Sequence, residues 1–405
     1  MKRLEDLLSG FRNATPEQMG QYGGRIIATV ADLMAEDRPF IMPVAVSEEI
    51  IQFFGKSHLT PEDMSKYNGE IQMGIQKISV GSSGTAYAAF TNYSEADKAQ
   101  GITTVTTEID HYLEAVLFNN DISGLVINPF GNSCFLPKEL IAQVFYCDYL
   151  NSRQPHPRQE EDVQINPPSA IEDALLFATQ CHRGTFRKGS DTPYIIHPME
   201  VASILVSVHA DNNLIIAGLL HDTVEDTDAN IEEIREKFGD DVARLVMAHT
   251  ENKEKVWYAR KLKTVSDLPD EDIRCQLLTL ADKLSNLRSM YNDYKMVGES
   301  LWERFSADKS KQSWYYNGIV DGLSHLEQIP FTKDAYNQLD RMYKELFVTF
   351  LYDEQSQTMY RLSAHGEGYE LHKSSPQWQA ITALVPQTAV VISRTNAQKI
   401  ESSWE

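Results

Sequence analysis

Over the first 149 residues the apolar positions switch repeatedly between the period of a strand and that of a helix. Two amphipathic helices open the chain. Short alternating runs follow at FIMPVAV, GEIQMGIQKISV and GTAYAAFTNY. A helix is expected at TTEIDHYLEAVLF, then a strand at GLVINPF and a turn at Gly131-Asn132. Both periods within one block predict an α+β domain without internal repeats over 1–149.

Residues 150–168, LNSRQPHPRQEEDVQINPP, are polar and proline-rich, the composition of a linker. From Ser169 strand alternation ceases. Ser169 and Glu172 have capping-box spacing ahead of Ile171, Ala174, Leu175 and Ala178. Pro198 suits a helix start, with His197 at the cap. Val201, Ala202, Leu205 and Val208 continue at helical spacing. Further helices are expected over 212–226, 229–238, 240–251, 270–292 and 308–326, with Asp228 as a cap and Gly239 as a stop. An all-helical domain over 169–326 follows. Residues 327–405 read as a helix (KDAYNQLDRMYKELF), strand runs at VTFLYDE, TMYRLSA and TAVVISR, and a short last helix, a small α+β appendage.

The length of 405 residues suits two or three domains with real cores. No run approaches the ~20 apolar residues of a membrane span, and the first residues lack the apolar core of a signal peptide, so a cytoplasmic protein is expected. The formal charge of −21 disfavours nucleic acid and anionic membrane as partners. A phosphorylated small molecule stays compatible with it, because one basic pocket or one metal reverses the field locally. The four cysteines lie far apart without a C-x-x-C pair, which excludes a zinc knuckle or a disulfide framework.

Within the helical domain, one segment built for burial, LIIAGLL, runs straight into His221, Asp222, Glu225 and Asp226. Buried charges need partners or a metal. His197 begins another helix. Asp282 lies in LLTLADKLSNL, where Asp282, Asn286 and Ser289 form a polar stripe beside an apolar one. Each feature has an ordinary structural counterpart: a helix cap for His197, an acidic helix start for VEDTDAN, a solvated ion pair for Asp282 and Lys283. Together they specify two His and two Asp on three helices. Mixed nitrogen and oxygen donors without thiolate favour Mn²⁺ ahead of Zn²⁺. Such an ion activates water and polarises a phosphoryl oxygen. Glu225 and Asp226, one turn further on, are placed to serve the attacking water. Arg183, Arg187 and Lys188 form a local cation cluster suited to phosphate or to stacking on a base. The histidines His209, His249, His325, His365 and His372 lack such company and read as structural.

Five ordered motifs, QCHRG, RKGSDTPYIIHP, LLHDTVEDT, FGDDVARLV and LADKLSNLR, resemble the HD hydrolase domain of the RelA/SpoT family over 169–326. The resemblance implies a Mn²⁺-dependent 3′-pyrophosphohydrolase converting (p)ppGpp to GDP or GTP and pyrophosphate. It implies His197, His221, Asp222 and Asp282 as metal ligands, Glu225 and Asp226 at the water, and Arg187, Lys188 and Asn286 at the nucleotide. Tyr315 or Tyr316 fills the place of a late phosphate-contacting tyrosine. Cys181 and Thr185 depart from the family's first motif, and LADKLSN is closer to its small members. The residues after 326 are too few for a synthetase domain. The N-terminal block is similar to the SseB type, which implies an interaction or regulatory module with a protein partner.

Two other readings stay open. The same chemistry serves another nucleotide, such as (p)ppApp or NADPH. A binding protein that senses an alarmone is the alternative outside the enzymes, although a sensor has no need of Glu225 and Asp226.

Overall fold

The computed structural model describes residues 1–66, 73–81, 84–99, 101–152, 164–381 and 385–404. The chain divides into two compact units: Met1–Pro155 with Glu254–Leu262, and His156–Lys253 with Lys263–Glu405.

In the first unit, helices Lys2–Arg12 and Pro16–Ala35 open the chain, as their amphipathic pattern requires. Strand Pro39–Ala45 pairs antiparallel with Thr103–Glu108, from Pro39 opposite Glu108 to Val44 opposite Thr103. Part of the expected helix at TTEIDHYLEAVLF is therefore strand. The β-branched run Thr103–Thr107 favours extended backbone, and the helix begins only at Ile109. A second sheet pairs Thr85–Ala89 parallel with Gly124–Ile127, which returns through the turn at Gly131-Asn132 to Cys134–Pro137. The helix Lys138–Ser152 was not foreseen. Neither was the membership of Glu254–Leu262: the Tyr258 ring packs edge-on against Phe118 and Phe145 at 5.6 and 4.8 Å, and its backbone N–H donates to Glu114 Oε1 at 3.0 Å.

The linker assigned to 150–168 lies partly outside the described residues, at 153–163. Its end is tied into the second unit, where Asn166 Nδ2 donates to Asn213 Oδ1 and to the Phe238 carbonyl, both at 2.8 Å. Four short-range expectations are corrected here. The helix Ser169–Cys181 has Pro168, not Ser169, at its N-cap, without a side-chain cap. His197 is the second residue of Ile196–Ser207 rather than its cap, because the preceding turn already continues helically from Ile195. The helix expected over 212–226 stops at Leu220 and resumes as the single turn Thr223–Asp226, so His221 and Asp222 occupy the break. Asn230 with Glu233, rather than Asp228, caps Ile231–Phe238.

Helix Asp240–His249 follows, then Trp257–Asp267, which the pattern had not indicated. The long helix Ile273–Val297 starts on Asp272, whose carboxylate accepts from the backbone N–H groups of Arg274 and Cys275. It buries Leu277, Leu280, Ala281, Leu284 and Leu287 at helical spacing. Helices Lys309–Gly322 and Lys333–Phe347 complete the helical layer. The chain then forms a five-stranded antiparallel sheet in the order Ser375–Ala380, Gly368–His372, Thr358–Ser363, Val348–Asp353, Val390–Ile392, followed by helix Arg394–Ser402. Its strands Gly368–His372 and Ser375–Ala380 add to the three foreseen. Among the described residues, no helix is long and apolar enough to cross a membrane.

Candidate metal centre

The helix crossing beneath the site depends on Gly218. A Cβ there would stand 2.5 Å from Leu205 Cδ1 and 3.3 Å from Val201 Cγ1, so glycine lets the helix Asn212–Leu220 approach Ile196–Ser207 without displacing these side chains. His221, just past Leu220, and His197 are thereby brought to a ring-centroid distance of 5.2 Å. Asp282 enters from the long helix. His197 Nε2 is 3.2 Å from Asp282 Oδ1 and 3.6 Å from Asp222 Oδ2. His221 Nε2 is 3.0 Å from Asp222 Oδ2 and 3.8 Å from Asp282 Oδ1. Ligand atoms of His197, His221 and Asp282 all lie within 4.8 Å of one another, and all three residues are buried.

The far sides of both imidazoles are held. His221 Nδ1 donates to the Gly218 carbonyl at 2.9 Å, which leaves Nε2 as the lone pair of the neutral ring. That Nε2 is buried and makes no hydrogen bond, with Asp222 Oδ2 3.0 Å away. His197 Nδ1 is 2.9 Å from Ser285 Oγ, and the Ser285 hydroxyl lies 2.9 Å from Glu200 Oε2. Outer partners of this kind orient the imidazoles of metal sites. A buried, unpartnered nitrogen facing two carboxylates fits a divalent cation.

The charges of the cluster shift one another. Burial by itself would lower the His221 pKa, but the Asp222 and Asp282 carboxylates override it and hold it at about 9. Burial lowers the His197 pKa. Burial opposes ionisation of Asp222 and Asp282, yet the neighbouring cations, His221 for the first and Lys283 for the second, keep both below the ordinary carboxylate range. The Tyr194 hydroxyl donates to Asp222 Oδ2 at 2.6 Å.

Glu225 and Asp226 sit on the single turn after the break. Glu225 Oε2 accepts the Glu251 backbone N–H at 3.2 Å, while Lys253 Nζ donates to the Glu225 carbonyl at 2.6 Å and to Asp226 Oδ1 at 2.8 Å. Burial, with the nearby charges of Glu251, Asp226 and Asp222, raises the Glu225 pKa.

The basic loop is pinned by backbone bonds from Arg187 to Thr192 and from Tyr194 to Thr185, both at 2.9 Å. Gly189 at its tip has φ 72°, and a Cβ there would meet Arg304 Cδ at 2.6 Å. Arg187 Nη2 donates to Asn286 Oδ1 at 2.9 Å, and its guanidinium lies 5.6 Å from the Tyr194 ring. Asn286 Nδ2 in turn donates to Asp282 Oδ1 at 2.6 Å. Arg187 and Asn286 therefore adjoin the cluster, whereas Lys188 and Arg183 are exposed. Tyr315 and Tyr316 are both buried, with the Lys283 ammonium 5.6 Å from the Tyr315 ring.

One ordinary counterpart and one expectation fail at this site. Asp282 and Lys283 are no solvated pair: Nζ lies 2.5 Å from Oδ2, with both side chains largely enclosed. His249 is not isolated, because its Nε2 is 3.1 Å from Asp282 Oδ2 and its ring centroid is 5.4 Å from that of His221. Tyr194, His249, Lys253, Lys283, Ser285 and Glu200 were all missed as members of the site. For Tyr194 the spacing of three residues to His197 was a usable signal; for His249, at the end of an ordinary amphipathic helix, none existed.

Fold and cluster together point to a class: residues 174–307 match the HD domain family. The chain is 39% identical over 185 residues to the GTP pyrophosphokinase rsh of Brucella melitensis, covering 42% of this chain and 24% of that one. It is 41% identical over 124 residues to the guanosine-3′,5′-bis(diphosphate) 3′-pyrophosphohydrolase of Aquifex aeolicus, covering 30% of this chain and 18% of that one. This chain thus spans about a quarter or less of the length of these relatives. A solved structure described as "A metazoan ortholog of SpoT hydrolyzes ppGpp and plays a role in starvation responses" is 29% identical, covering 45% of this chain and 98% of that chain with a TM-score of 0.38.

Proposed function

We propose that this protein is a Mn²⁺-dependent (p)ppGpp 3′-pyrophosphohydrolase. The observation that carries the reading is the convergence of His197, His221, Asp222 and Asp282 on one buried point, with His221 Nε2 unpartnered. The names of the RelA/SpoT-type relatives supply the substrate class. A bound divalent ion would supply an activated water and a polarised phosphoryl oxygen.

The chain's own residues do the rest. Glu225, its pKa raised by burial, is a stronger base than an exposed carboxylate and takes a proton from the water. Asp226, held by Lys253, adds to the basicity of Glu225 through its negative charge. Oxygen from water bonds to the phosphorus attached to the ribose 3′-oxygen. The 3′-oxygen leaves and is protonated, releasing pyrophosphate and a 3′-hydroxyl nucleotide. Arg187, preset by Asn286 and Tyr194, grips the nucleotide, with Lys188 at the solvent edge. The N-terminal unit, by its SseB-type resemblance, is assigned a regulatory role through a protein partner, in a cytoplasmic setting.

The test is pyrophosphate release from ppGpp by metal-stripped protein with and without Mn²⁺, beside Asp222→Asn. Mn²⁺-dependent release that the variant lacks is expected. Binding of ppGpp without turnover would instead favour a sensor. Neither binding nor release would redirect the search to (p)ppApp and NADPH.

A further inference from the structure

Asp282 presents its two carboxylate oxygens to different surroundings. Oδ1 faces the imidazoles of His197 and His221, at 3.2 and 3.8 Å. Oδ2 turns away and receives two donors, Lys283 Nζ at 2.5 Å and His249 Nε2 at 3.1 Å. The two donors differ in kind. Lys283 is the next residue of the same helix, a flexible point charge that follows Asp282 wherever that helix goes. His249 ends another helix, Asp240–His249, and its planar ring offers one N–H in one direction. A carboxylate accepts only, so the His249 tautomer is fixed with its proton on Nε2. The ring also stands at 74° to that of His221, 5.4 Å between centroids. An apolar residue would fill this largely enclosed place without needing a partner; histidine there spends its donor on a carboxylate oxygen.

We infer that His249 is a positioning residue: by holding Oδ2 from a second helix it sets the rotation of the Asp282 carboxylate, so that Oδ1 alone is offered to the cation. This rests on the reading of the cluster as a metal centre. With His249 removed, Lys283 still neutralises Asp282 and Asn286 Nδ2 still donates to Oδ1 at 2.6 Å, but both lie on the helix of Asp282 itself, so the one donor that fixes the carboxylate from a second helix is gone and it is freer to turn about its Cβ–Cγ bond. Loss of such an outer partner weakens metal binding by about 10–100-fold in other sites.

The experiment uses the full chain stripped of metal and titrated with Co²⁺ against a competing chelator, with the visible absorption of the bound ion recorded. Wild type, His249→Leu and His249→Gln are compared, and the melting temperature of each metal-free protein is measured alongside. The Gln side-chain amide places its nitrogen near the position of imidazole Nε2 and restores the donor. The expected result is Co²⁺ affinity about 10–100-fold weaker in His249→Leu, an altered absorption band, recovery of most of both in His249→Gln, and metal-free melting temperatures that stay together. Unchanged Co²⁺ affinity in His249→Leu overturns the proposal. So does a loss that tracks a lowered metal-free melting temperature and is not recovered by Gln, which would make His249 structural only. If the wild-type protein takes up no Co²⁺, it is the metal-centre reading itself that falls, and that outcome is distinct from the other two.

Discussion

At the scale of single residues, the site is a set of groups that each need the others. His221 and Asp282 are too deeply buried to stand charged alone, and their mutual contacts offset that cost. A similar conflict outside the centre yields a cleaner test. Burial, helped by the nearby Asp267 charge, pushes the Glu271 carboxyl up to about 7 from an ordinary 4.5. The folded protein therefore binds a proton there that the unfolded chain releases, so the stabilisation is complete below about 4.5 and disappears as pH rises through about 7. Glu271→Gln keeps the shape and removes the titration. Its melting temperature is expected to exceed that of the wild type above pH 7, and the difference should shrink towards zero near pH 4.5. A pH-independent offset between the two proteins would show that Glu271 ionisation is not the cause.

Among the elements, the crossing at Gly218 decides whether His197 and His221 meet. Gly218→Val adds a side chain where Leu205 and Val201 already stand within contact distance of a single Cβ. Overpacking of this kind costs about 1–3 kcal/mol, to be read from urea denaturation. Because the Gly218 carbonyl also holds His221 Nδ1, the same variant should bind divalent metal more weakly. Stability lost with metal affinity intact would mean that the two helices move apart without disturbing the imidazoles. The break between Asn212–Leu220 and Thr223–Asp226 belongs to this scale too. His221 and Asp222 stand in that break with their backbone still in the right-handed helical region, at φ −56° and −96°.

For the whole molecule, the assignment of Glu254–Leu262 to the first unit means that the chain leaves the second unit just after Lys253, the residue bonded to Asp226. Tyr258 is the aromatic anchor of that segment, enclosed by Phe118 and Phe145. Tyr258→Ala should cost about 3–5 kcal/mol of local stability, as for other large aromatic truncations. Amide hydrogen exchange over 109–118 is expected to speed up, with exchange over 273–287 unchanged. Equal acceleration in both segments would show that the two units unfold as one.

Much of this was legible in the sequence because it is local. The helical period of LIIAGLL, its abrupt end in His221-Asp222, the carboxylates one turn on, and the polar stripe through Asp282 and Asn286 lie within single elements, where spacing alone sets which residues share a face. The metal-ligand candidates, the all-helical middle and most strands followed from that. What tertiary structure decided is whatever depends on residues far apart in the chain. It brought His249 to Asp282, 33 positions away, and Arg187 to Asn286, 99 positions away. It put Lys253 on Asp226 and Tyr258 among the aromatics of the first unit. No periodicity records such pairs, because a hydrogen bond between two helices depends on how closely and at what angle they pack, as the close approach of Asn212–Leu220 to Ile196–Ser207 at Gly218 illustrates.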